Sequence, residues 1–150
     1  MTSQLQILVG VDFSKQSLAA VRAARDLVDR TGGGLTLLHV RPISDVRAAV
    51  VEERGDLLRL PSSRLAEATA RHYEARLKKL TRRGRNESWR VVRGDPAPSL
   101  RREADRGYDL LFMGTRGRGR GTSFLLGSTV QEVLHRSRVP VVVVPARRRL

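Results

Sequence analysis

The chain of 150 residues contains no cysteine, which excludes disulfides and thiolate metal sites. No apolar run approaches the roughly 18 residues that a membrane-spanning helix requires, so no membrane insertion is expected. The opening Met1-Thr2-Ser3-Gln4-Leu5 lacks the basic flank and apolar stretch of a signal peptide, and the expected location is cytoplasmic. Aromatic residues are few, with one Trp, two Tyr and three Phe, too few for a platform on which single-stranded bases stack. No Gly-x-x-x-x-Gly-Lys-[Ser/Thr] stretch is present, which argues against a P-loop ATPase. The three histidines, His39, His72 and His135, form no His-x-x-x-His pair, and Ser123 and Ser128 have no evident histidine–carboxylate partner in the sequence.

Lysine is also scarce. Of the 29 basic residues only Lys15, Lys78 and Lys79 are lysines, so 26 are arginines. Against 15 carboxylates this leaves a net charge of +14, rising along the chain from +2 to +5 to +7 in successive blocks of fifty residues. Such a surplus attracts phosphate, whether on a nucleotide, a nucleic acid or an anionic surface. It equally suits an arginine-biased solvated surface. The densest group is Lys78, Lys79, Arg82, Arg83 and Arg85, followed by Arg90 and Arg93, with a basic tail at Arg147–Arg149.

The length fits one domain spanning residues 1–150. Five short apolar runs recur: Leu5–Val11, Leu35–Val40, Ser88–Val92, Asp109–Met113 and Val139–Val144. Contiguous apolar pairs such as Leu8-Val9 and Leu37-Leu38, and the four valines Val141–Val144, suit strands covered on both faces. Ser88–Val92 is mixed and reads as an edge strand. Between the runs lie helical patterns. Ser14 caps a helix to about Arg30, with Leu18, Val21, Ala24 and Val28 on one face and Gly32–Gly34 as its stop. A second covers about Ser63–Arg83, a third runs from an Asp95-Pro96 cap to Arg106, and a last spans Ser128–Ser137 and buries Val130, Val133 and Leu134. This β-α alternation predicts an α/β fold, an open doubly wound sheet of five parallel strands with helices on both faces. Residues 41–62, punctuated by Arg-Pro and Leu-Pro, do not fit the alternation and are expected to form a mobile excursion.

One stretch carries chemistry. Gly114-Thr115-Arg116-Gly117 follows a strand, and after nine residues Gly127-Ser128-Thr129 opens a helix. A glycine after a strand lets a ligand approach the backbone. Ser128 and Thr129 fall in the first turn of the last helix, where unbonded amides and the helix dipole favour phosphate. Arg116, Arg118 and Arg120 add positive charge to the loop between.

The complete G-x2-G-x9-G-[ST] pattern resembles the ATP-binding motif of the universal stress protein family. The likeness extends to Ile7–Ser14, Leu35–Val40, Gly94-Asp95-Pro96, Asp109–Gly114 and Pro140–Pro145, nearly the whole chain. The resemblance implies strand order 3-2-1-4-5 and a set of nucleotide contacts. Asp12 would face the ribose or adenine, flanked by Val11 and Phe13, with Val40 on the adenine edge. Met113 and Gly114 would lie beneath the ribose. Gly117 and Arg118 would turn the loop against the phosphates, and Gly127, Ser128, Thr129 and Val130 would bind them. The cofactor implied is ATP or another adenine nucleotide, with Mg²⁺ riding on its phosphates and few protein ligands. No general base is evident for attack by water, so any hydrolysis should be slow. The expected function is an ATP-binding stress-response protein acting as a nucleotide-dependent switch or binding module. The alternative is a basic protein that binds RNA or DNA non-specifically and with strong salt dependence. In the implied order Val139–Val144 lies at the sheet edge, where an apolar strand invites pairing. The resemblance implies a homodimer through that strand.

Overall fold

The computed structural model describes residues 4–42, 62–116 and 126–146. Strands β1 (Gln6–Gly10), β2 (Gly34–Arg41), β3 (Glu87–Arg93), β4 (Leu110–Gly114) and β5 (Val141–Val144) alternate with helices α1 (Lys15–Thr31), α2 (Ser62–Leu80), α3 (Pro96–Ala104) and α4 (Ser128–Arg136). The strands form one parallel sheet in the order β3-β2-β1-β4-β5. In register, Leu8 of β1 lies between Thr36 of β2 and Leu111 of β4.

The period of two along the strands sorts the core into two layers. Ile7, Val9, Leu35, Leu37 and Phe112 point to α1 and α2, where they meet Val21, Ala24, Val28 and Leu77. Leu8, Leu38, Val40, Leu111 and Met113 point to α3 and α4, against Ala97, Leu100, Val130 and Val133. β2 is buried along its whole length, as a strand covered on both faces should be. β3 alternates between half-buried and exposed residues and is an edge strand, as its composition predicts.

Local chemistry sets the element ends. Ser14 caps α1 by accepting the Ser17 amide at 3.1 Å. At the other end Gly32 takes a left-handed conformation (φ 74°) and returns its N–H to Val28 O at 2.8 Å. Four expectations shift. On α1, Leu18 is only half-buried, and Ser17 and Ala20 are buried beside Val21 and Ala24. α2 ends at Leu80 rather than Arg83, because the Glu87 carboxylate takes the Arg82 amide at 2.8 Å in place of a helical carbonyl. Asp95 stands at the N-cap of α3, but its side chain makes no capping bond and Pro96 alone marks the start. On α4, Val130 and Val133 are buried but Leu134 is 42% exposed.

Among the described residues no helix is long and apolar enough to cross a membrane. Most of the expected excursion, residues 43–61, lies outside the described residues, as does the basic tail from Arg147.

Candidate functional site

Strands β1 and β4 are neighbours, but their following connections leave to opposite faces: α1 packs on one side of the sheet and α4 on the other. A crevice must open where the two connections part, at the carboxyl ends of the strands. A cavity of about 200 Å³ lies there. Its wall is assembled from β1 and its turn (Gly10, Val11, Asp12), α1 (Ser17), the end of β2 (Leu38, His39, Val40, Pro42), α2 (Tyr73), α3 (Pro96, Leu100), the end of β4 (Met113, Gly114, Arg116) and the first turn of α4 (Thr129, Val130).

The β1–α1 turn is held by several bonds. The Asp12 carboxylate accepts the Ser14 amide at 2.9 Å, and the Asp12 amide donates to Ser17 Oγ at 3.3 Å. Oδ1 of Asp12 is thus used in shaping the turn. Between them Phe13 adopts φ 64°, a region that a bulky side chain enters only at a cost. Its ring packs beside His39 and Tyr73 of the cavity wall without itself lining the cavity. The ring lies nearly parallel to Tyr73, 6.0 Å between centroids, with the Arg76 guanidinium 3.9 Å from its centre. The buried His39 ring sits 4.1 Å from that of Tyr73, and its Nδ1 hydrogen-bonds Val11 O at 2.7 Å. That bond ties the end of β2 to the turn bearing Asp12.

The opposite wall is built by the glycine motif. Gly127 N donates to Thr115 O at 2.9 Å, joining the end of β4 to the start of α4, and Ser14 Oγ reaches Arg116 O at 3.4 Å. Gly127 is the N-cap of α4 and offers no side chain to its first turn, which also contains no acidic residue. The first intrahelical bond runs from Gln131 N to Gly127 O, so the amides of Ser128, Thr129 and Val130 precede it. Thr129 and Val130 of that turn stand in the cavity wall.

Gly114 is required for a further reason that the sequence does not disclose. A Cβ built on it would lie 2.5 Å from the Gln16 carbonyl carbon and 2.7 Å from the Ser17 amide nitrogen. The missing side chain makes room for the first turn of α1, and the Gly114 backbone itself lines the cavity.

Of the residues proposed from sequence, Val11, Asp12, Val40, Met113, Gly114, Thr129 and Val130 share the cavity wall. Phe13, Gly127 and Ser128 lie beside it rather than in it. Gly117 and Arg118 fall outside the described residues. Sequence reading missed Gly10, Ser17, Leu38, His39, Pro42, Tyr73, Pro96 and Leu100. Leu38 was findable from the period of two that pairs it with Val40, and Pro96 from its place after β3. Tyr73 carries no local signal, because only the packing of α2 brings it to β2.

The wall has two characters. Leu38, Val40, Pro42, Pro96, Leu100 and Met113 make an apolar slot, while Asp12, Arg116, Thr129 and the helix terminus make a polar rim, negative at Asp12 and positive at Arg116 and the helix start. The C-terminal end of β2 adds buried charge: Arg41 donates to Ala66 O at 2.6 Å, and burial, with Arg93 beside it, pushes its guanidinium below the usual arginine range. Among the described residues no group of three or more His, Asp or Glu stands where it would hold a metal ion.

The family model of the universal stress protein family matches residues 5–145. A universal stress protein of Mycolicibacterium smegmatis is 33% identical over 97% of this chain, which spans 47% of that relative's length. Stress response protein NhaX of Bacillus subtilis is 24% identical over 93% of the chain and 96% of its own length. Thus the chain spans about half the length of some curated relatives and nearly all of another. Among solved structures, the hypothetical protein MJ0577 covers 99% of the chain with all of its own length, at 27% identity and a TM-score of 0.73. A universal stress protein in complex with cAMP (23% identity, 97% of this chain and all of that one, TM-score 0.61) shares the fold. So does one from Archaeoglobus fulgidus in complex with dAMP (15%, 96% and 99%, TM-score 0.57). On the family match across nearly its whole length, and on the strand order and glycine motif described above, this chain belongs to the universal stress protein family.

Proposed function

We propose that the chain binds an adenine nucleotide, ATP or a close relative, in the cleft between β1 and β4. The observation that carries this reading is the placement of Thr129 and Val130, at the uncapped start of α4, in the same wall as the apolar slot of Leu38 and Val40. A flat heteroaromatic base fits the slot, and its phosphates fit the helix terminus. Asp12 faces the ribose or base from the other side. The fold neighbours solved with cAMP and dAMP support adenine as the base. A Mg²⁺ ion would arrive with the phosphates, and Asp12 and Thr129 of the cavity wall would assist it through water.

Among the described residues the site offers little for rapid hydrolysis. His39, the imidazole in the wall, is buried and bonded to Val11 O, which holds it as a structural group. The nucleotide-loaded state therefore persists, and the protein works in the stress response as a cytoplasmic switch or binding module. In this reading β5 pairs with its counterpart in a second copy, forming a homodimer. Leu134, exposed on the helix that leads into β5, supports an interface at that end of the sheet.

Mass spectrometry of the nucleotide released by heat from freshly purified protein tests the reading. An adenine nucleotide near one per chain is expected. Thr129→Asp, which sets a negative charge at the helix start, should weaken its retention at least about tenfold while the circular dichroism stays unchanged. A chain that carries no nucleotide and gives no calorimetric binding with ATP, ADP, AMP or cAMP overturns it.

A further inference from the structure

The turn between α2 and β3 collects an unusual density of cations, and the structure divides them into two groups. Arg25 and Arg82 are committed. Glu87 receives Arg25 Nε and Nη2 at 3.0 Å each and Arg82 Nε at 2.6 Å, while both oxygens of Asp29 take the Arg82 guanidinium at 2.9 Å. Those ion pairs engage Glu87 and Asp29, and Arg85 also lies within electrostatic reach of Asp29. Glu103 likewise takes Arg90 at 2.7 Å and lies 3.8 Å from Arg106. Lys78, Lys79, Arg83 and Arg85 are exposed, and none is in a salt bridge with a carboxylate among the described residues. Lys78, Arg83 and Arg85 border a concavity of about 240 Å³ whose floor includes Trp89.

We propose that this turn is a docking surface for the phosphate backbone of a nucleic acid. Three observations select that partner. Exposed cations outside any salt bridge among the described residues, clustered around one hollow, complement a polymer of closely spaced phosphates. The surface has no exposed large apolar residue: among the described residues that distinction belongs to Leu134, on the far side of the sheet. A protein partner or an inserted amphipathic face would call for apolar anchors there, and an anionic membrane held by charge alone is separated by the vesicle arm of the test below. Trp89 is half-buried against the core, and one partly covered ring is no stacking platform, so the contact is expected to read phosphate and not sequence. The turn precedes β3, at the amino ends of the strands and at the edge away from β5. It is thus remote from both the nucleotide cleft and the proposed dimer edge, and its test is independent of both.

The experiment is fluorescence anisotropy with a labelled 20-base-pair DNA duplex and a 20-nucleotide RNA, each at 50 and 200 mM KCl. The wild-type protein should bind both at the lower salt and release them at the higher. The triple variant Lys78→Glu, Arg83→Glu, Arg85→Glu should lose affinity by at least about tenfold, and its log–log salt slope should fall by about 2.7, near 0.9 per phosphate contact. The control Arg22→Glu, Arg71→Glu, Arg102→Glu makes the same change in net charge at exposed sites elsewhere and should bind within about threefold of wild type. Circular dichroism shows that each variant is folded. No binding at 50 mM KCl overturns the proposal. So does an equal loss in the control, which would assign the effect to net charge, or capture by phosphatidylserine vesicles in place of either nucleic acid.

Discussion

At position 114 a single hydrogen stands where any other residue would place carbon, and the first turn of α1 uses the space. Gly114→Ala would set its Cβ 2.5 Å from the backbone of Gln16, which cannot swing aside as a side-chain tip would. We expect a loss of about 1–3 kcal/mol in urea denaturation. Because Ser17 and Asp12 are bonded to each other, the displaced turn should also weaken nucleotide retention. A stability within 0.5 kcal/mol of wild type would show that α1 yields more readily than its packing suggests. Asp12 shows what a sequence discloses at this scale. Its place at a strand end, two residues before a serine cap, marks a turn, and its carboxylate does bond the Ser14 amide. Phe13 shows what a sequence withholds. Nothing in Asp12-Phe13-Ser14 announces φ 64°, nor the packing of the ring on Tyr73 and Arg76 of α2, some sixty residues away.

At the scale of elements, α2 and β3 are joined through a carboxylate that periodicity cannot reveal. The side chain of Glu87 is fully buried between Arg25 of α1 and Arg82 of the turn. Burial alone would raise its pKa, but the hydrogen bonds from Arg25 and from the Arg82 amide and guanidinium outweigh it and hold the carboxyl below its usual value near 4.5. The sign follows directly. A carboxylate with a depressed native pKa contributes stability that is fully present above its unfolded value and is lost as the pH falls through the native one. Acid should therefore loosen this corner below about pH 4.5, and Glu87→Gln should flatten that limb of the stability–pH curve. At pH 7 the same variant leaves two arginines facing a neutral amide, with an expected loss of about 3 kcal/mol. Chemical denaturation at intervals between pH 3 and 7 measures both, and an unchanged acid limb would remove Glu87 from the account. The helices themselves were legible from caps and apolar spacing. The end of α2 was not, since its stop signal is a carboxylate seven residues beyond Leu80, supplied by the next strand.

For the molecule as a whole, the alternation of apolar runs and helices predicts a parallel sheet, and the family likeness predicts the strand order found. That order leaves β5 at an edge, with four valines all half-buried. Leu111 N donates to Pro140 O and Thr115 N to Val144 O, so alternate residues of β5 turn their carbonyls toward β4. The backbone groups of Val141 and Val143 then point outward, free to pair with another edge. This parity chooses the test of the proposed dimer. A charge at Val142 would be a poor choice, because its side chain packs on the core layer beneath α1 and the substitution risks the fold itself. Val143→Pro instead removes one outward N–H while leaving the ladder to β4 intact, and proline is tolerated at an edge. Light scattering should find wild type at about twice the chain mass of 16.7 kDa and the variant at about one. Retained nucleotide would show the variant folded. A variant that stays dimeric with its nucleotide bound would move the interface away from β5. A wild-type chain that is monomeric at micromolar concentration would leave the exposed Leu134 and the open valine edge without the partner argued for them.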